Sequence, residues 1–271
     1  VSGIGNVEHN SILVRYSNDF SIWDLESVNH YKDQSDIFFT CHEFSYNKIA
    51  EAYEPYLGLI RQMFHRYCSG TLEEFMEECD VYKLQRPVFE SYFENGFCER
   101  TEQILIDEVE YEQERMRNSI VTMLQKLSEI RPVVIVLNRF QLASKSTMQL
   151  TNSLLQVKNK NIGIVLGVND VQSIPEFAHE EWDAICESMD DRNMVYHIGN
   201  AGRNMEPDVM DYYSDYESDD GYRKLNNLVY FLDFDQADHH LSKIERRIKF
   251  DNFTISEKKH YQLLLLQIMA S

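Results

Sequence analysis

Two uninterrupted apolar runs limit the possible folds more than any other feature of this chain. Residues 133–137 (VVIVL) follow Arg131-Pro132, and residues 162–168 (IGIVLGV) follow a polar turn at 158–161. A strand with one wet face alternates apolar and polar side chains, whereas a strand covered on both faces has no need to. Both runs are of the second kind. A third β-favouring run, 37–41 (IFFTC), is entered from Asp36, and 194–198 (MVYHI) is a weaker fourth. Helical patterns fill the intervals. Strand–helix–strand alternation with doubly covered strands predicts an α/β fold, a parallel sheet flanked by helices.

The clearest helical pattern covers 99–129, where Leu105, Val109, Met116, Ile120, Leu124 and Leu127 recur mostly at steps of three, four or seven. Residues 46–67 predict a helix or helix pair interrupted near Glu54-Pro55, because proline disfavours helix in the residue before it. Shorter helices are predicted at 144–157 and 175–189. After Gly199 the character changes. The stretch 206–221 (EPDVMDYYSDYESDDG) is acidic with no basic residue and reads as a mobile loop or linker. Two amphipathic helices follow, predicted at 222–250 and 256–270. The first presents Leu225, Leu228, Leu232, Ala237, Leu241, Ile244 and Ile248 on one side, an apolar face that wants a partner. The expected organisation is a domain over 1–205, an acidic linker over 206–221, and a helical hairpin over 222–271 that starts a repeat region.

Charge narrows the partners. Against 45 acidic residues there are 26 basic ones, a net charge of −19. Such a field repels phosphate backbones and anionic lipid, so neither direct nucleic-acid binding nor membrane-surface binding is expected. No apolar run approaches the ~20 residues of a membrane span, and the N-terminus lacks a secretory signature. The five cysteines are odd in number, widely spaced and without a CxxC pair, which predicts reduced thiols and a cytoplasmic location. The chain opens Val1-Ser2-Gly3 without methionine and reads as an excerpt of something longer.

Four features then line up in order. A glycine-containing opening, VSGIGNVEHNS at 1–11, precedes Ile12-Leu13-Val14. The 37–41 strand leads through Glu43-Phe44-Ser45 into AYEPYLGLIR at 52–61. RPVVIVLNRFQLAS occupies 131–144, and the 162–168 strand ends at Asn169. Together they resemble the P-loop ATPase domain of the STAND class, which includes the large ATP-binding LuxR-type regulators and related bacterial signalling proteins. The resemblance covers roughly residues 1–200. It implies a phosphate loop, a second strand, a Walker B strand and a sensor strand. It also implies a helical linker and superhelical repeats beyond, with the whole acting as a switch on an output domain elsewhere in the polypeptide.

The departures fall on every position that does chemistry. A phosphate loop needs glycines for a tight anion-cradling turn, a lysine for the β/γ-phosphates and a Ser/Thr for Mg²⁺. No GxxxxGK[ST] occurs, and the nearest alignment sets His9-Asn10-Ser11 where Gly-Lys-Ser belongs. At the Walker B end Asn138-Arg139 replaces paired acids. Asparagine is a poor substitute for a carboxylate near Mg²⁺, and Arg139 would repel the metal while leaving an opening for metal-independent phosphate binding. The resemblance therefore implies a degenerate ATPase fold that does not hydrolyse ATP. Its vestigial nucleotide site would comprise Gly3, Gly5, Asn10, Ser11, Asn138 and Arg139. No catalytic residue, metal or obligate cofactor is expected. The alternative is a switch that binds ATP or ADP through backbone amides around 3–11. The partners implied are proteins or other domains of the same polypeptide. A third possibility is a helical scaffold without a ligand, which predicts no polar crevice at the carboxyl ends of 37–41 and 133–137.

Other constellations are weaker. Asp235 and His239, at i and i+4, share a helix face, but position 243 is Lys and no third metal ligand follows. Cys41 and His42 are adjacent on a strand and point to opposite faces, so they do not form a nucleophile–base pair. The acidic loop lacks the D-x-[DN]-x-[DN]-G order that wraps Ca²⁺. Its tyrosines among carboxylates would suit a basic partner surface.

Overall fold

A computed structural model describes residues 11–16, 34–45, 48–98, 109–157, 159–169, 178–190, 194–198 and 219–250, with single positions at 22, 28, 32 and 174. Five strands form one parallel sheet: β1 (Ser11–Tyr16), β2 (Phe38–Glu43), β3 (Val133–Asn138), β4 (Ile162–Asn169) and β5 (Val195–Ile198), in the spatial order β2-β3-β4-β1-β5. The two non-alternating runs are the neighbours β3 and β4, at the centre of the sheet. Every residue but one in each is buried. β2, at an edge, is mostly half-buried. The α/β class expected from the sequence is the one observed.

Eight helices accompany the sheet among the described residues: α1 (Tyr56–Tyr67), α2 (Leu72–Glu78), α3 (Arg86–Asn95), α4 (Val109–Ile130), α5 (Lys145–Gln156), α6 (His179–Asp190), α7 (Asp219–Tyr230) and α8 (Phe234–Phe250). In α1 the buried set Tyr56, Leu57, Leu59, Ile60, Met63 and Phe64 forms one stripe at helical spacing. α2 opens on a capping box. The Thr71 hydroxyl accepts the Glu74 N–H while the Glu74 carboxylate accepts the Thr71 N–H. α3 closes on Gly96, whose φ of +79° is the left-handed turn that glycine adopts without strain.

The pleat divides the core. Leu13, Val133, Ile135, Leu137, Ile164 and Leu166 pack under the helices, with apolar residues from all eight. On the opposite face Val14, Val136 and Val165 meet Ile22 and Val28.

Several helix boundaries differ from expectation. The helix expected over 46–67 begins only at Tyr56, after a cis Glu54–Pro55 bond and a left-handed Tyr53. The expected start at 99 and the helix at 256–270 lie outside the described residues, as does the linker expected over 206–221 up to residue 218; its last three positions already belong to α7. The single helix expected over 222–250 is two. Leu232 adopts φ +63°, the Asp233 N–H closes α7 on the Leu228 carbonyl, and the Asp233 carbonyl accepts the first bond of α8 from Ala237. The apolar face of these helices has its partner within the chain: Leu225, Leu228, Phe231, Ala237 and Leu241 belong to the main core. Phe231 is ringed edge-on by Tyr53, Phe89 and Tyr92.

Candidate functional site

In an open parallel sheet, ligands bind beyond the carboxyl ends of strands at the point where successive connections leave in opposite directions. Here that point lies between β1 and β4. From β1 the chain runs to β2 at one edge, and from β4 it runs past β1 to β5 at the other. Tyr16 and Asn169 are register partners there. Asn138 ends the neighbouring β3, and Glu43 pairs with it from β2.

These strand ends carry a polar cluster that satisfies itself. The Tyr16 hydroxyl donates to Asn138 Oδ1 at 2.6 Å. The Asn138 carbonyl accepts the Phe44 N–H at 3.0 Å. Gln141, fully buried, brackets the main chain of Asn169, donating to its carbonyl at 3.3 Å and accepting its N–H at 3.4 Å. Arg139 takes a left-handed conformation, φ 53° and ψ 43°, and its Nε lies 3.3 Å from Glu43 Oε1. That ion pair is 40% and 44% exposed, so it sets charge locally and contributes little stability. Burial pushes the Tyr16 hydroxyl up to about 12; the Arg139 charge pulls it down and Glu43 pushes it up. Tyr16 is thus a neutral donor across the physiological range.

The floor of the cluster is tight. A Cβ on Gly167 would stand 2.9 Å from Asn138 Oδ1 and 2.6 Å from Ile22 Cδ1. Glycine lets β4 pass directly beneath the Asn138 side chain.

Of the six residues expected to form the vestigial site three are described, and among these Ser11 stands apart from Asn138 and Arg139. Gly3, Gly5 and Asn10 lie outside the described residues. Ser11 opens β1, pairs in register with Ile164, and stands at the amino end of the sheet. A six-residue strand puts it ~16 Å from Tyr16 at ~3.3 Å per residue. Of the three described, Asn138 and Arg139 stand at the carboxyl end. The physical reason is chain direction. A phosphate loop follows its strand and precedes its helix, so on β1 such a segment would come after Tyr16, not before Ser11. That segment reads Ser17-Asn18-Asp19-Phe20-Ser21-Ile22-Trp23, with neither glycine nor lysine. Mg²⁺ is held through carboxylates and phosphate oxygens, whereas the β3 end offers a carboxamide already engaged by Tyr16.

Sequence reading missed Tyr16 as a site residue. The signal was slight: after the apolar run 12–14 and Arg15, Tyr16 stands where the strand meets the polar stretch 17–19.

Open clefts lie beside β2 instead. One of about 260 Å³ is lined by Thr40, His42, Glu51, Glu54, Gln62 and Tyr92. A smaller one of about 80 Å³ continues past His42 and Glu54 to Ser45, Lys48 and Lys224. A polar crevice at the carboxyl end of β2 counts against a ligand-free helical scaffold. His42 Nε2 lies 3.4 Å from Glu54 Oε1, and burial, assisted by Lys48 and Lys224 and opposed by Glu43, lowers the imidazole to about 4. Cys41 packs with the opposite face of the sheet, its thiol pushed up to about 12 chiefly by burial. The two side chains diverge, as alternation on a strand requires, and no thiolate–imidazole pair exists.

Asp235 is engaged by Lys145 at 2.6 Å, and His240 is buried against Gln236 at 2.7 Å. Among the described residues no group of three His, Cys, Asp or Glu is placed to hold a metal ion, and no helix is long and apolar enough to cross a membrane. All five cysteines are free. Compared with family models, curated proteins and solved structures, the chain matches none of them.

Proposed function

We propose that the chain is a regulatory, interaction-type domain of a larger bacterial signalling protein, a STAND-like ATPase fold that does not hydrolyse ATP. Its partners are proteins or other domains of the same polypeptide. One observation carries this reading. At the strand ends where a P-loop ATPase needs a carboxylate facing Mg²⁺, the Tyr16 hydroxyl closes on the Asn138 carboxamide at 2.6 Å. The segment after β1 adds no lysine to meet a phosphate, and Arg139 stands beside Glu43, whose charge offsets its own. What remains is the architecture of a nucleotide switch with its chemistry replaced by neutral hydrogen bonds. Such a fold serves through its surfaces.

Calorimetric titration of ATP, ADP and a non-hydrolysable analogue, each with and without Mg²⁺, tests the reading. No heat at millimolar nucleotide is the expected outcome. Micromolar binding indifferent to Mg²⁺ would favour the alternative, a switch that cradles phosphate on backbone amides. Binding strengthened by Mg²⁺ together with phosphate release would overturn both the degeneracy and the interaction role.

A further inference from the structure

The junction between α7 and α8 holds a carboxylate in an unusual position. Asp233 is 4% exposed, and each of its oxygens serves a different helix. Oδ1 faces the Gln236 N–H at 3.4 Å, in the first turn of α8. Oδ2 accepts the Ser146 N–H at 3.0 Å, in the first turn of α5, from a residue 87 positions earlier in the chain. The opening N–H groups of a helix have no partner within it. α5 therefore receives two caps. Its own N-cap, Ser144, accepts the Thr147 N–H at 3.2 Å, and Asp233 supplies the second from a distant element. A carboxylate suits both helix ends, because each presents donors and the positive end of its dipole.

The surroundings make this contact a hub. The amino end of α5 directly follows the β3 end and its short 3-10 turn (Phe140–Leu142). Its hydroxyls also hold the segment before α1: Ser144 donates to the Glu51 carbonyl, Thr147 donates to the Glu54 carbonyl, and Ser146 Oγ accepts the Tyr53 N–H. On the other side Gln113 donates to the Leu232 carbonyl at 2.6 Å, and Asn227 ties α7 to Cys98 and Glu51. Lys145 flanks the buried contact by pairing with Asp235.

We propose that Asp233 is a two-helix latch, one buried carboxylate that closes the amino ends of α5 and α8 together and so ties the seat of the α7–α8 segment to the position of α5. A shift of α5, which follows the β3 end, withdraws a cap from α5 and loosens α8 at once. Release of α7–α8 uncovers Leu225, Leu228 and Leu241, now in the core. This inference does not depend on the nucleotide reading, since it involves neither Tyr16 nor Asn138.

Amide hydrogen exchange on the 271-residue chain, read by peptide, is the test. In Asp233→Ala both caps are lost, and first-turn amides of α5 and α8 should exchange about five- to thirty-fold faster, while β3 and β4 keep their protection. Asp233→Asn keeps the shape but leaves one acceptor oxygen, so one of the two helix starts should loosen and the other should hold. Asp235→Ala, which removes only the exposed pair with Lys145, should leave both starts protected. The latch is overturned if Asp233→Ala loosens only one helix. It is equally overturned if Asp233→Asn loosens both or neither, or if the loss in either variant runs equally through β3 and β4.

Discussion

Gly167→Ala is the most direct probe of the filled crevice. Gly167 does not adopt a left-handed backbone, so the effect of a methyl group is steric. An ideal Cβ would lie 2.6 Å from Ile22 Cδ1 and 2.9 Å from Asn138 Oδ1, and both residues are buried. Overpacking of this kind costs about 1–3 kcal/mol. Displacing the Asn138 carboxamide also weakens its 2.6 Å bond from Tyr16, about 1 kcal/mol more. Stiffening of the unfolded chain by alanine returns about 0.4–1 kcal/mol. The net loss is about 1–4 kcal/mol, or roughly 3–12 °C in Tm at about 3 °C per kcal/mol for a chain of this size. The decisive assay is a double-mutant cycle with Tyr16→Phe by denaturant unfolding. Alone, Tyr16→Phe strands the Asn138 oxygen and should cost about 1–3 kcal/mol. In the Gly167→Ala background that oxygen has already been pushed away, so Tyr16→Phe should cost about 1 kcal/mol less. Strict additivity of the two changes, or an unaltered Tm in Gly167→Ala, would refute the claim that β4, Asn138 and Tyr16 form one packed unit.

Three further outcomes follow from the same structure. Asn138→Asp combined with Arg139→Asp should produce no phosphate release from ATP, because residues 17–23 still lack the lysine and glycines of a phosphate loop; turnover in that variant would sink the degeneracy argument. His42, lowered to about 4 in the folded chain, stays neutral where the unfolded chain binds a proton. Its contribution to stability is therefore complete above about pH 6.5 and is lost as pH falls toward 4, by about 1–3 kcal/mol once partial exposure is allowed for. The difference in pH slope between wild type and His42→Gln measures it, and equal slopes would contradict the burial argument. Phe231→Ala should cost about 3–5 kcal/mol by emptying the space among Tyr53, Phe89 and Tyr92, read as a shift in denaturant midpoint. A shift under about 1 kcal/mol would mean that α7 is not integral to the core.

Local signals were legible where the physics is local. The continuous runs at 133–137 and 162–168 announce strands covered on both faces, and Ser144 ahead of α5 is a readable helix start that caps Thr147. The split of α7 from α8 was also written in the sequence, in the step of five from Leu232 to Ala237 where helical spacing allows three or four. The regular positions on either side masked it. Glu54-Pro55 marked an interruption, yet not that the preceding residues would leave the helix altogether. That outcome depends on Ser146 and Thr147 holding residues 53 and 54 from α5.

The amino-acid sequence by itself determined the class of fold. Strand burial and helical stripes are properties of a few consecutive residues, and a parallel sheet is what doubly apolar strands joined by helices can form. The tertiary structure decided what no periodicity encodes: the order β2-β3-β4-β1-β5, and with it which polar residues meet. Tyr16 and Asn138 are 122 positions apart, and Ser146 and Asp233 are 87 apart. Each pair is joined only because the sheet sets two strand ends on either side of β4 or because a turn between two helices seats against a third. Such contacts arise from packing across the whole domain. A residue's local pattern names the element it belongs to, and the assembled sheet and helices select its partner.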